Sequence, residues 1–187
     1  EGFLKTGDAM RFVDPAIPEH GLRFDGRLGE DFKLSTGTWV HVGALRLKAI
    51  GALEPLAQDV VVTGHDRDEV GFLVVPHLAA CRRWCGLSDA ADAREITAHV
   101  AFRSHVAAAL RALATAAGGS STHAARALVM LEPLSIDAGE ITDKGYVNQR
   151  AVLARRAALV ERLYRTPFDT SIITPFDARE SASTGGS

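Results

Sequence analysis

Three short stretches of the chain carry side chains suited to holding and activating a phosphorylated ligand. The first is Thr6-Gly7-Asp8. A glycine before an aspartate lets the backbone approach a ligand closely, and a carboxylate accepts two hydrogen bonds from vicinal hydroxyls such as those of a ribose. A turn in which Asp8 satisfies its own backbone fits the same residues. The second stretch is Asp25-Gly26-Arg27-Leu28-Gly29-Glu30-Asp31-Phe32-Lys33, with Arg27 lying 19 residues after Asp8. An arginine after glycine can pair with phosphate or ribose, although a solvated charged turn also suits it. The third runs from Ile136 to Arg150 and contains Lys144 beside Gly145. A lysine on a glycine-containing loop can bring its ammonium onto a developing anion. The plainer alternative is an exposed turn lysine.

The chain that must position these groups has 187 residues, 47% of them hydrophobic and 24% charged. That length fits one domain, or one domain with part of another. Twenty-one basic and 23 acidic residues leave a net charge of −2. The near-balance argues against a nucleic-acid or anionic-membrane partner. No run of about 18 uninterrupted apolar residues is present, so no transmembrane helix is expected. EGFLKTGDAMRF lacks the basic and apolar regions of a signal peptide, and a cytoplasmic location is expected. Cys81 and Cys85 stand one helical turn apart, and His77 falls on the same face. A structural zinc site needs about four ligands and no fourth is evident. Reduced, packed thiols and no metal site are therefore expected, and His65, His77, His99 and His105 are given no role.

The supporting elements follow from periodicity and punctuation. Residues 1–28 form a short β-rich piece with Pro15, Pro18 and Gly21 in its turn, and 29–40 suit a hairpin. Val42 to Leu56 has helical spacing, with Pro55 ending it. Val60 to Val62 and Gly71 to Val75 are strands joined by the polar turn GHDRDE, too short for a crossover helix, so an antiparallel pair is predicted. His77 to Cys85 is a short helix, Asp92 to Ala117 a long one, and Ala127 to Glu132 a third strand. Asn148 can cap a final helix reaching Tyr164. After Pro167 the composition turns to Ser, Thr, Gly and Asp, and a disordered tail is expected.

The order matters more than any one motif. A TGD, then GR-x₅-K, then a helix-β-β-α-β unit, then a glycine-containing loop with lysine resembles the C-terminal end of the AMP-forming acyl-CoA synthetases, in the adenylate-forming superfamily. The resemblance spans about residues 1–165. EDFKLSTGTWV, GHDRDE and EITDKGYVNQRAVLARRAALVERLY look most like feruloyl-CoA synthetases, hydroxycinnamate–CoA ligases of bacterial aromatic degradation.

The resemblance implies an α+β fold. Residues 1–28 would be the β-rich end of a large adenylation domain, 29–165 a small mobile lid domain with a roughly three-stranded sheet packed by helices, and 166–187 a tail. Glu1 falls inside a motif, so the large domain is expected upstream, and 1–28 are expected to be looser than 40–164. Asp8 would bind the ribose hydroxyls of ATP and of the adenylate, and Arg27 ribose or phosphate. Gly29 would be the pivot, where relatives usually carry Asp or Lys. Lys144 would be the catalytic lysine, since Glu140 stands where the family pattern puts lysine. Lys33, Ser35, Thr36 and Gly37 would face the active site when coenzyme A reacts, whereas Trp39 and Val42 are expected to pack. The implied substrates are a carboxylic acid, ATP with Mg²⁺, and coenzyme A, with no membrane or nucleic-acid partner. The chain alone is expected to be inactive. The competing possibility is a non-catalytic, nucleotide- or partner-binding descendant, which Glu140 supports.

Overall fold

The computed structural model of the chain describes residues 6–27, 29–116 and 118–176, with backbone only at 9 and 24–27. Strand β1 (Asp8–Phe12) pairs antiparallel with β2 (Leu22–Arg27), with a register shift between Ala9 and Met10. Met10, Phe12, Val13, Ile17 and Leu22 are all exposed on this ribbon and its turn. A hairpin of two short strands follows, β3 (Phe32–Lys33) and β4 (Trp39–Val40). Helix α1 (Val42–Leu53) starts where Asp31 accepts a hydrogen bond from the Val42 amide at 2.9 Å and meets His41 at 2.9 Å. An acidic side chain thus satisfies one of the amides a helix start leaves open.

The main sheet has the order β5-β6-β7. β5 (Ala57–Thr63) and β6 (Gly71–Pro76) are antiparallel, as their short polar connection predicts. β7 (Arg126–Val129) runs parallel to β6 after a helical crossover. Side chains alternate across the sheet, so each face builds its own core. Val60, Val62, Phe72, Val74 and Ala127 join the buried side chains of α1 and α4, including Leu45, Phe102 and Val106. Val61, Leu73 and Leu128 turn the other way, onto Val152 and Leu163.

On the first face lie α2 (Leu78–Cys85), α3 (Ala93–Ala98) and α4 (Val100–Thr115). The single helix expected over 92–117 is two helices. His99 takes an extended backbone, and its Nδ1 accepts the Ala101 amide at 3.2 Å, starting α4 anew. On the second face the expected final helix is also divided, into α5 (Gln149–Arg155) and α6 (Ala157–Tyr164). Asn148 caps α5 through the Ala151 amide at 3.3 Å. The segment set aside as tail contributes to the core up to Ile173. Ile172 and Ile173 are buried, Ile173 bridges to Ala127, and Arg162 holds Asp169 at 2.7 Å. Residues 177–187 lie outside the described residues.

The two cysteines have packing roles. The buried Cys81 thiol donates to the Leu56 carbonyl at 3.2 Å, and burial pushes its pKa up to about 11. His77 caps α2 through Nδ1 and the Ala80 amide. Among the described residues, no three His, Cys, Asp or Glu side chains converge as a metal site, and no helix is long and apolar enough to cross a membrane.

Gly71 marks the closest approach of the sheet to α6. A Cβ there would lie 2.7 Å from Leu163 Cδ2, 2.9 Å from Tyr164 Oη and 3.0 Å from Thr63 Oγ1. Gly71→Ala is expected to lower stability by about 1–3 kcal/mol through overpacking, read as a lower denaturant midpoint at unchanged slope. An unchanged midpoint would mean that α6 withdraws freely.

Candidate functional site

The β1–β2 ribbon brings the first two motifs to one place. Asp8 and Arg27 are direct cross-strand partners despite their separation in sequence. Their backbones therefore stand opposite each other in the ribbon. The Asp8 amide donates to Thr6 Oγ1 at 3.2 Å, and Gly7 has φ 76°, a value that favours glycine. Asp8 is half-buried. The side chain of Arg27 lies outside the described residues, and so does Leu28. Gly29 follows on an exposed turn, and its carbonyl accepts a hydrogen bond from Arg150 Nη2 at 2.7 Å.

Lys33, Ser35, Thr36 and Gly37 form one strand and the tip of the β3–β4 hairpin. The tip is closed by Leu34 N–H to Thr38 O at 3.0 Å and by Gly37 N–H to Leu34 O at 2.9 Å, with Gly37 at φ 82°. It is braced against the polar turn between β5 and β6. The Ser35 amide donates to Arg67 O at 2.9 Å, Ser35 Oγ to Asp68 Oδ1 at 2.5 Å, and the Asp66 amide to Lys33 O at 3.2 Å. The space where a Gly37 side chain would stand is open. Val42 is buried as expected, but Trp39 is 53% exposed. Its ring sits under the Lys33 ammonium, 5.1 Å from the centroid, because the two are cross-strand partners. An exposed pair of this kind is worth about 0.5–1 kcal/mol.

The third motif has a buried base and an exposed tip. Glu140 is fully buried. Its carboxylate accepts Arg156 Nε at 2.8 Å, Arg156 Nη2 at 3.1 Å and the Ser135 amide at 2.8 Å. Arg156 also reaches Glu132 and the Pro133 carbonyl. The Arg156 guanidinium, together with the Ser135 amide and the charge of Arg155, holds the Glu140 pKa below the usual carboxylate range against the opposing effect of burial. The Glu140 backbone is fixed as well, by Ser135 O and the Asn148 amide. Beyond it, Ile141 bridges to Val147, and the turn 142–145 closes with Gly145 N–H to Thr142 O at 2.8 Å. Lys144 occupies this turn, exposed and without an ion pair among the described residues. Glu140 is thus a structural anchor that sets out Lys144.

Sequence reasoning gives Arg150 and Arg156 no role, although both fall within stretches it singles out. Their partners lie 121 and 16 residues away. Between the hairpin and α5–α6 is an open cleft lined by Phe32, His65, Arg67, Leu153, Val160 and Glu161.

No family model matches the chain, and no curated protein matches it. Solved structures do. The adenylation domain of a carboxylate reductase from Mycobacterium chelonae superposes with TM-score 0.63 at 23% identity, over 87% of this chain and 23% of that one. The A-PCP didomain of a carboxylic acid reductase from Segniliparus rugosus, in complex with AMP, gives 0.59 at 22%, over 85% and 20%. The A domain from the same organism, in complex with AMP and a co-purified carboxylic acid, gives 0.59 at 23%, over 85% and 23%. None of the three is a feruloyl-CoA synthetase. At these identities the likeness is one of fold. The chain has the α+β architecture of part of a carboxylate-reductase adenylation domain and spans less than a quarter of each of these chains.

Proposed function

We propose that this chain is the C-terminal part of an enzyme that activates a carboxylic acid with ATP as an acyl-adenylate and passes the acyl group to the thiol of coenzyme A, on feruloyl-type aromatic acids. The observation that carries the reading is the build of the third motif. Glu140 serves as its buried base, so glutamate at that position is accounted for by the loop's architecture, and Lys144 is left free at the tip. The non-catalytic alternative rests on the same Glu140, which stands where the family pattern puts lysine. The fold shared with adenylation domains solved with AMP adds to the reading.

In the first step a carboxylate oxygen attacks the α-phosphorus of ATP. The bond from that phosphorus to the bridging oxygen breaks, and pyrophosphate leaves. Lys144 neutralises the charge that accumulates on the α-phosphate oxygens and orients the acid, an electrostatic and positional contribution without a covalent intermediate. Asp8 accepts hydrogen bonds from the ribose hydroxyls, and Arg27 meets ribose or phosphate. In the second step the chain turns about Gly29, which withdraws Lys144 and brings in the Lys33–Gly37 backbone. The thiol sulfur attacks the acyl carbonyl, and AMP leaves. Mg²⁺ would accompany ATP as part of the substrate; the described residues offer no cluster of three His, Cys, Asp or Glu side chains to hold it.

The test uses the full protein, with the upstream adenylation domain, and a panel of aromatic and aliphatic acids. Acid-dependent pyrophosphate release is expected, strongest with hydroxycinnamates, followed by coenzyme A-dependent release of AMP. The chain alone should release none. Absence of acid-dependent pyrophosphate release across the panel would leave the non-catalytic reading.

A further inference from the structure

We infer that His41 is a catalytic residue of the thiol step, the general base that takes the proton of the coenzyme A sulfhydryl, and that Asp31 positions it; the inference rests on the two-step reading above. His41, His77 and His99 each stand at the N-cap of a helix. His77 and His99 use Nδ1 for the cap, each accepting a helix amide at 3.2 Å. His41 does not. At α1 Asp31 takes over that task, its Oδ1 accepting the Val42 amide at 2.9 Å, and its Oδ2 meets His41 Nδ1 at 2.9 Å. An ionised carboxylate only accepts hydrogen bonds, so Nδ1 carries the proton and the lone pair is left on Nε2. Nε2 has no partner among the described residues, and the His41 side chain is 73% exposed against 14% for Asp31.

The hairpin brings this pair onto the face proposed for the thiol step. β3 and β4 pair Phe32 with Val40 and Lys33 with Trp39, and the same register sets Asp31 opposite His41. Side chains alternate across strands. Phe32 and Val40 therefore enter the core, while Asp31, Lys33, Trp39 and His41 share the outer face. Lys33 and His41 are diagonal neighbours there, at a backbone separation of about 7–8 Å. The charged groups around the imidazole are Asp31 and Lys33 on the hairpin and Lys48 on α1. Ser121 and Thr122, uncharged, close the small open cavity that His41, Trp39 and Lys48 also line. A thiol is a weak nucleophile until it loses its proton. Nε2 accepts that proton as the sulfur bonds to the acyl carbon. The bond from this carbon to the adenylate oxygen then breaks, AMP leaves, and the imidazolium returns its proton to solvent.

The test is made in the full protein with a hydroxycinnamate, ATP and coenzyme A, each half-reaction followed in a single turnover. His41→Gln should slow thiol transfer from the preformed adenylate by about 10²- to 10⁴-fold, the usual contribution of a general base. Adenylate formation and the melting temperature are the controls for a merely structural effect. Asp31→Asn keeps an acceptor for the Val42 amide but favours the other tautomer of His41, and transfer should fall with it. Added imidazole should restore part of the rate to His41→Ala. In wild type the transfer rate should level off with rising pH once imidazole is neutral, whereas in His41→Ala it should keep climbing as free thiolate takes over. Unchanged transfer in His41→Gln, equal losses in both half-reactions, or a wild-type pH profile in His41→Ala overturns the inference. A wild type that forms no thioester overturns the proposed function and the role of His41 with it, so the wild-type control keeps the two failures apart.

Discussion

Lys144→Ala is expected to slow acyl-adenylate formation by about 10²- to 10³-fold, the usual effect of deleting one preorganised electrostatic donor. The KM for the acid should change little if the ammonium acts mainly on charge that develops in the transition state. The substitution is clean in structural terms. The turn at 142–145 is held by backbone hydrogen bonds and by the Thr142 hydroxyl, which accepts the Tyr146 amide at 3.2 Å. None of these involves the lysine side chain, which is exposed. Melting should therefore be unchanged. Lys144→Arg should restore part of the rate at most, because a planar fork replaces a compact point charge. Rapid-quench measurement of adenylate in a single turnover is the readout. An unchanged rate would remove Lys144 from the chemistry.

Glu140→Ala is expected to lower stability by about 3–5 kcal/mol, the range for breaking a buried ion pair from one side. It leaves Arg156, whose side chain is only 10% exposed, with Glu132 at the surface as its remaining carboxylate. It also strips the Ser135 amide of its acceptor. Adenylation should fall as well, because the base of the Lys144 turn is lost.

The pH dependence has a definite sign. Arg156 holds the folded-state pKa of Glu140 below its ordinary value. The pair's contribution is fully present above the unfolded glutamate value of about 4.3 and is lost as pH falls toward the folded pKa. Asp169 acts in the same direction, through Arg162 first and then Ser171. The gap in denaturation midpoint between wild type and Glu140→Ala should therefore be full at pH 7 and narrow as pH falls below about 4. A gap that is constant with pH would mean the ion pair is not what the substitution removes.

Much of the frame was legible because its signals are local. The valine-rich strand and its polar turn, the proline after α1 and the Asn148 cap each act over a few residues, and each element lies where those residues place it. The breaks at His99 and Arg156 were not legible. Apolar spacing continues past both, and histidine and arginine are not among the usual helix-start residues. Ile172 and Ile173 were hidden by polar surroundings, since composition averages over the two residues that matter. At the site, the residue types in order pointed to Asp8, Arg27 and Lys144. The strand register that pairs the first two, and the guanidinium of Arg156 that buries Glu140, are products of tertiary structure. The exposure of the apolar side chains of the β1–β2 ribbon could not be read from their identity.

The central claim is that one small domain presents two faces to two half-reactions. The most direct test is a crossed comparison of Lys144→Ala and Gly37→Trp in the full protein, with each half-reaction measured separately. Lys144→Ala should lose adenylate formation yet transfer the acyl group normally from a supplied acyl-adenylate to coenzyme A. Gly37→Trp, which fills the open backbone at the hairpin tip, should form adenylate normally and fail in the transfer. If both variants damage the same half-reaction, or neither damages either, the two-face account is wrong.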